Sequence, residues 1–251
     1  MKNKINIKPF TVKDELQKDL FPDGEHIDSR IRLKLLEIAD DFVETLEVKW
    51  LKPIDMIVTG SLVNYNWNEY SDIDIHIIYD YSKIYKNVDF VQDYFMSKRK
   101  EWNNLHNNLT IKGFPVELSV EDVNNPLHST GVYSLYTNKW VKKPKKMSND
   151  KIDIKKIKKL TLKIVKTFIK LFDLIENETD IKKLDILSEK LNNFIDILHE
   201  NREKGLKTEK KELSTGNIIW KIVKHFGYVE KSHNILNNIY DKKNTIKEQI
   251  L

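Results

Sequence analysis

Residues 71–79, SDIDIHIIY, restrict the fold more than any other stretch of the chain. Asp72, Asp74 and His76 alternate with Ile73, Ile75 and Ile77. Only an extended strand sends alternate residues to opposite faces, so the three isoleucines share an apolar face and the two acids share a polar one. The apolar face demands a core on one side of a sheet. The polar face carries two carboxylates two residues apart, close enough to repel and to raise the pKa of one of them unless a cation lies between them. Carboxylate oxygens are hard ligands and suit Mg²⁺ or Mn²⁺.

The segments around this strand add to the same polar face. The apolar run IDMIVT (54–59) reads as a buried strand and leads into Gly60-Ser61. Gly60 lets the backbone approach a bulky anion, and Ser61 offers an amide and a hydroxyl. A helix directly after Ser61 is expected to aim its free N–H groups at a phosphate. Ser71 serves either as a turn residue or as a phosphate contact. Downstream, LTIKGFPVELSVED (109–122) predicts a hairpin with Gly113, Phe114 and Pro115 near its turn. Glu117, between Val116 and Leu118, falls on the polar face of that strand, with Glu121 as the substitute. His76 shares the acid face and reads as a supporting group. Tyr65 and Trp67 are expected to pack behind the motif rather than stack on a base.

The rest of the chain divides by period. Residues 1–27 form an irregular lead-in. From Asp28, an N-cap, a helical stripe runs through Ile31, Leu35, Ile38, Ala39, Phe42, Val43 and Leu46. A second amphipathic helix covers Val88 to Leu105, and short extended pieces fall around VYSLYT and KWV. After KKPKKMSND (142–150) the pattern is helical throughout. Two long stripes run from Ile154 to Ile175 and from Leu184 to Leu198, and shorter helices lie near 215–226 and 229–242, separated by Gly227. The reading is an α+β protein: a mixed-sheet domain over 1–148 and an all-helical domain over 149–251.

Composition narrows the class. With 40% hydrophobic and 32% charged residues, 7 Gly and 6 Pro in 251 residues, the chain suits a helix-rich globular protein. It has no Cys, which excludes disulfides and thiolate metal sites. No apolar run approaches membrane-spanning length and the polar start lacks a signal-peptide core, so no membrane association is expected and a cytoplasmic location is the simplest reading. The net charge of +5 is unevenly placed: Lys142 to Lys170 holds 12 Lys against Asp150 and Asp153, leaving −5 for the remainder. Such a stretch attracts polyanions in a salt-sensitive way, or is simply a solvated helix face.

The order TGS, ten residues (62–71), DID at 72–74 and VEL at 116–118 resembles the DNA polymerase β-type nucleotidyltransferase superfamily. The resemblance implies a nucleotidyltransferase-like mixed sheet with flanking helices, followed by a helical domain that closes a nucleotide cleft. It implies that Gly60 and Ser61 hold the triphosphate of an NTP such as ATP, with Ser71 the further candidate contact. It further implies that Asp72 and Asp74 bind two metal ions, and that Glu117 binds one and helps deprotonate the acceptor hydroxyl. Longer segments, among them HSTGVYSLYTNKWVKKP and FGYVEK, are similar to a group of phage-type proteins of the same kind, which suggests that Tyr133 and Tyr136 line the far side of the cleft. The acceptor implied ranges from an RNA such as a tRNA 3′ end, which the Lys142–Lys170 stretch favours, to a protein hydroxyl in the manner of toxin–antitoxin adenylylation. No template-binding element is visible, so transfer is expected to be template-independent. A catalytically silent nucleotide- or nucleic-acid-binding module is the competing class, with pyrophosphate transfer behind it.

Overall fold

The computed structural model describes residues 8–146, 148 and 152–245. The first seven residues of the lead-in, together with Asp150 and Lys151 of the lysine-rich stretch, lie outside the described residues. The chain divides into two compact units, Pro9–Asn149 and a second built on Asp150–Leu251.

The first unit is organised by a six-stranded mixed sheet. Its strands are β1 (Asp55–Thr59), β2 (Ile73–Tyr79), β3 (Thr110–Ile111), β4 (Phe114–Asp122), β5 (Val132–Ser134) and β6 (Lys139–Lys142), in the spatial order β3-β4-β2-β1-β5-β6. All neighbours are antiparallel except β2 and β4, which run parallel with Asp74 opposite Glu117 and His76 opposite Ser119. Parallel pairing needs a crossover longer than a hairpin turn. Helix α2 (Val88–Leu105) supplies it, followed by the β3–β4 hairpin, whose turn residues Lys112 and Gly113 both take positive φ.

One face of the sheet is apolar because the odd-numbered residues of β2 and the even-numbered residues of β1 and β4 point to it. Met56, Val58, Ile73, Ile75, Ile77 and Leu118 are buried there with helix α1 (Ser29–Thr45). Asp28 caps α1 by accepting from the amides of Arg30 and Ile31. The helix then buries Ile31, Leu35, Ile38, Ala39 and Phe42; each of the larger side chains contributes about 1.5–3 kcal/mol. The irregular lead-in also enters this core through Leu16, Leu20, Phe21 and Ile27. It has no periodicity because it is folded around side chains rather than around backbone repeats: Gln17, itself buried, accepts from the Leu20 amide through Oε1.

Strand β3 is too short to cover β4, whose exposed edge would otherwise present unpaired backbone. Helix α2 closes the gap. Asn103 both donates to the Leu118 carbonyl and accepts from the Leu118 amide (3.2 Å each), and the Tyr81 hydroxyl donates to the Val120 carbonyl at 2.9 Å.

The second unit contains helices α3 (Ile154–Glu176), α4 (Ile181–Leu206), α5 (Thr215–His225) and α6 (Tyr228–Asn244). Asp153, Asp180 and Ser214 cap the first three, each accepting a backbone amide in the first turn. Its core is built on Phe168, which stacks on Tyr228 and meets Phe172 and Phe194 within 6 Å between ring centres. Among the described residues, no helix is long and apolar enough to cross a membrane.

Candidate active site

The polar face of β2 and β4 brings three acids together. Ligand oxygens of Asp72, Asp74 and Glu117 all lie within 4.8 Å of one another, and all three residues are half-buried. Asp74 and Glu117 meet because the parallel register places them side by side, while Asp72 stands just before the first residue of β2. Three carboxylates this close, with partial access to solvent, form a set of hard oxygen donors with the spacing a divalent cation needs. The residues present therefore fit Mg²⁺ or Mn²⁺. Glu117, rather than its substitute Glu121, joins the cluster.

Gly60 closes one side. It adopts φ +81°, and a Cβ at this position would lie 2.0 Å from Asp74 Oδ2. The positive φ strains any residue that carries a side chain, and the close approach to Asp74 sets the turn after β1 directly against the acid cluster.

The chain after Ser61 departs from expectation. No helix follows: residues 61–66 and 69–70 form bends and turns, with irregular backbone at 67–68. The segment is rich in asparagine, whose side chains bond nearby backbone and compete with helical pairing; Asn68 accepts from the Tyr70 amide at 2.8 Å. Consequently no helix begins directly after the glycine turn. Ser61 and Ser71 are both buried and joined hydroxyl to hydroxyl at 2.8 Å, and the Asn68 amide donates to Ser71 Oγ. Ser71 thus ties the loop to its own base.

Below the triad on the same face, His76 Nδ1 lies 3.5 Å from Glu121 Oε1. The hydrogen bond from His76 holds the Glu121 carboxyl below its ordinary range, burial opposes the shift, and Asn125 and the positive charge of Arg99 reinforce it. Arg99 on α2 also places Nη2 3.7 Å from Glu117 Oε2, bringing one positive charge to the edge of the acid cluster. Sequence reasoning missed Arg99, because a cationic residue within the run Lys98-Arg99-Lys100 on a helix resembles any solvated surface position.

Two aromatic expectations separate. Tyr65 and Trp67 pack partly buried against the sheet core, and Trp67 Nε1 donates to the Glu15 carbonyl at 2.9 Å. Tyr133 cannot line a cleft. It is fully buried against Phe21 and Trp140 with its hydroxyl donating to Asn138 Oδ1, whereas Tyr136 is exposed. The strand alternation of β5 turns Tyr133 inward.

The lysine-rich stretch does not act as a single surface. In the first unit, Lys142 donates to the Ser129 carbonyl, Lys143 pairs with Glu25 and Lys146 with Asp14. On α3 the pattern differs. The buried stripe runs through Ile157, Thr161, Phe168, Phe172 and Ile175. At 100° per residue, Lys155, Lys156, Lys159, Lys163, Lys166 and Lys170 fall within an arc of about 100° on the opposite side. All six are exposed, and among the described residues none has an acidic partner.

These features define a class: an α+β protein whose mixed sheet presents a half-buried carboxylate triad beside a glycine turn. The chain belongs to the nucleotidyltransferase domain family, whose model matches residues 39–207, well over half of its length. No curated protein and no solved structure matches it.

Proposed function

We propose that the protein transfers a nucleoside monophosphate from a nucleoside triphosphate such as ATP to an acceptor hydroxyl, with release of pyrophosphate. The observation that carries this reading is the triad of Asp72, Asp74 and Glu117 set against Gly60 in a chain of this family. Asp72 and Asp74 hold Mg²⁺ or Mn²⁺, with Glu117 as the third ligand. Bound there, divalent ions supply charge neutralisation at the phosphates and acidify the acceptor hydroxyl. Glu117 accepts the proton of that hydroxyl, and the carboxylate set would hold the cations that bind the phosphates, so positioning and electrostatics supply the acceleration. No covalent protein nucleophile takes part.

The acceptor reading we favour is RNA, such as a tRNA 3′ end, extended without a template. Its support is the basic face of α3, six lysines long and unpaired by acids among the described residues. Incubation with each α-³²P-labelled NTP, Mg²⁺ or Mn²⁺, and total cellular RNA tests both statements, with a parallel arm containing extract protein. Label entering RNA, and absent with Asp72→Ala/Asp74→Ala, is the expected result. Label entering protein instead would move the acceptor to a protein hydroxyl. Retention of transfer by the double variant would remove the triad from the chemistry.

A further inference from the structure

Beside the glycine turn lies a buried amide whose connections run in both directions along the first unit. Asn64 is 3% exposed. Its Nδ2 donates to the Gly60 carbonyl at 2.6 Å and reaches Ser129 Oγ at 3.4 Å, and its Oδ1 accepts from Thr130 Oγ1 at 2.6 Å. The orientation of the amide follows from its partners. A carbonyl can only accept, so the atom facing Gly60 must be nitrogen, which leaves the oxygen for Thr130. The loop supplying these partners is itself pressed onto the turn. Ser129 Oγ donates to the Gly131 carbonyl at 2.7 Å, and a Cβ on Gly131 would stand 2.1 Å from the Val63 carbonyl oxygen.

The Gly60 carbonyl and the Ser61 amide belong to one planar, trans peptide unit, so their C=O and N–H vectors point in opposite directions. Holding the carbonyl therefore aims the N–H. Gly60, at φ +81°, is a residue whose peptide has alternatives to choose between, and a Cβ on it would meet Asp74 Oδ2 of the acid triad. We infer that Asn64, locked by Thr130, is a positioning residue that aims the Gly60–Ser61 peptide N–H at the phosphates of the bound triphosphate beside the acid triad. The inference rests on the reading that Gly60 and Ser61 hold those phosphates. It replaces the expected helix N-terminus with a single peptide, oriented from behind by a buried side chain. Such preorganised donors cost no rearrangement at the moment of binding.

Two substitutions separate this role from a merely structural one. Asn64→Asp keeps the shape but sets a carboxylate oxygen against the Gly60 carbonyl, which turns the peptide away. Thr130→Val removes only the hydroxyl that orients the amide. Calorimetric titration of the full chain with Mg²⁺ and the α,β-methylene analogues of ATP, GTP, CTP and UTP, alongside the four monophosphates, reads the effect. Mn²⁺ binding by electron paramagnetic resonance and thermal melting accompany each variant.

Asn64→Asp should weaken triphosphate binding about thirtyfold and Thr130→Val about fivefold, in line with losing a hydrogen bond at a buried polar site. Monophosphate and Mn²⁺ affinities should stay within about twofold, because neither depends on that peptide. Triphosphate binding unchanged in Asn64→Asp would overturn the inference, as would equal losses for tri- and monophosphates. If Asn64→Asp lacks a cooperative melt, Thr130→Val decides by the same comparison. Wild-type protein that binds none of the four triphosphates would sink the parent reading and this inference with it, whereas wild-type binding with both variants unaffected sinks the inference alone.

Discussion

The sheet unit and the helical unit draw on the same lysine-rich, isoleucine-rich alphabet and use it differently. In the sheet unit, β2 spends one face on the core and the other on acids, so a shift of one residue in register would exchange the two. Position is dictated there, and Gly60 and Asn64 have no interchangeable neighbours. In the helical unit, burial follows stripes that tolerate variation at their margins: Ile169, Leu174, Ile186 and Ile197 lie substantially exposed on α3 and α4. The contrast teaches where function and stability part company. Substitutions on the polar face of the sheet should act on chemistry, and substitutions in the helical stripes on folding.

The largest expected effect breaks the sheet side of that contrast. Asp72→Asn should lower nucleotidyl transfer by about 10³-fold, the magnitude typical of a lost charge-stabilising group. The metal-free Tm should rise slightly, because one of three mutually repelling carboxylates is gone. Transfer kinetics and calorimetric melting without divalent ions check both halves. A drop of the metal-free Tm would show that the acid is there for the fold.

Next comes the helical side. Phe168→Ala removes a fully buried ring that touches Phe172, Phe194 and Tyr228, at a cost of about 3–5 kcal/mol. Hydrogen exchange should show lost protection over α3–α6 with β1 and β2 retained. Equal loss in both units would mean that they unfold as one cooperative body.

Caps offer a matched pair. Asp28→Ala on α1 and Asp180→Ala on α4 each remove a side chain that accepts first-turn amides, and each should cost about 1 kcal/mol. Denaturant melts of the two variants, followed through the sheet aromatics and through total helicity, would assign each loss to its own unit.

The smallest effect concerns pH. Glu121 titrates below its ordinary value in the folded protein, so its contribution to stability is complete above the unfolded carboxyl range. It is lost as pH falls through the lowered folded value. The Tm difference between wild type and Glu121→Gln should therefore be greatest near neutrality and close up under acid. A gap that stays constant from neutral to acid pH would remove the His76–Glu121 contact as its cause.

Much of the scaffold is legible in the sequence alone. The alternation in 71–79, the Asp28 cap, the Val88–Leu105 helix and the hairpin turn at Gly113 all depend on short-range periodicity or turn chemistry, which a sequence states directly. Glu117 was legible because an acid between Val116 and Leu118 on a strand has one polar face to occupy. Arg99 and Asn64 were not. Each takes its meaning from a partner distant in sequence or from a backbone atom, Glu117 for one and the Gly60 carbonyl for the other, and no spacing rule encodes such a meeting. The helix expected after Ser61 failed for a local reason, since Asn64 and Asn68 bond nearby backbone groups in turns. Lys142, Lys143 and Lys146 could not be told from the lysines of α3, because charge counts carry no information about who sits opposite.

The sequence by itself determined which residues alternate, which stripe faces a core, that Asp28 opens a helix, and that two acids share one strand face, because these follow from covalent geometry and local hydrogen bonding. Only the tertiary structure decided that β4 lies parallel to β2 with Glu117 beside Asp74, that Asn64 holds the Gly60 carbonyl, and that six lysines of α3 have no acidic partner among the described residues. Those outcomes depend on strand order, register and close approach between segments far apart in the chain, which are settled when the core packs.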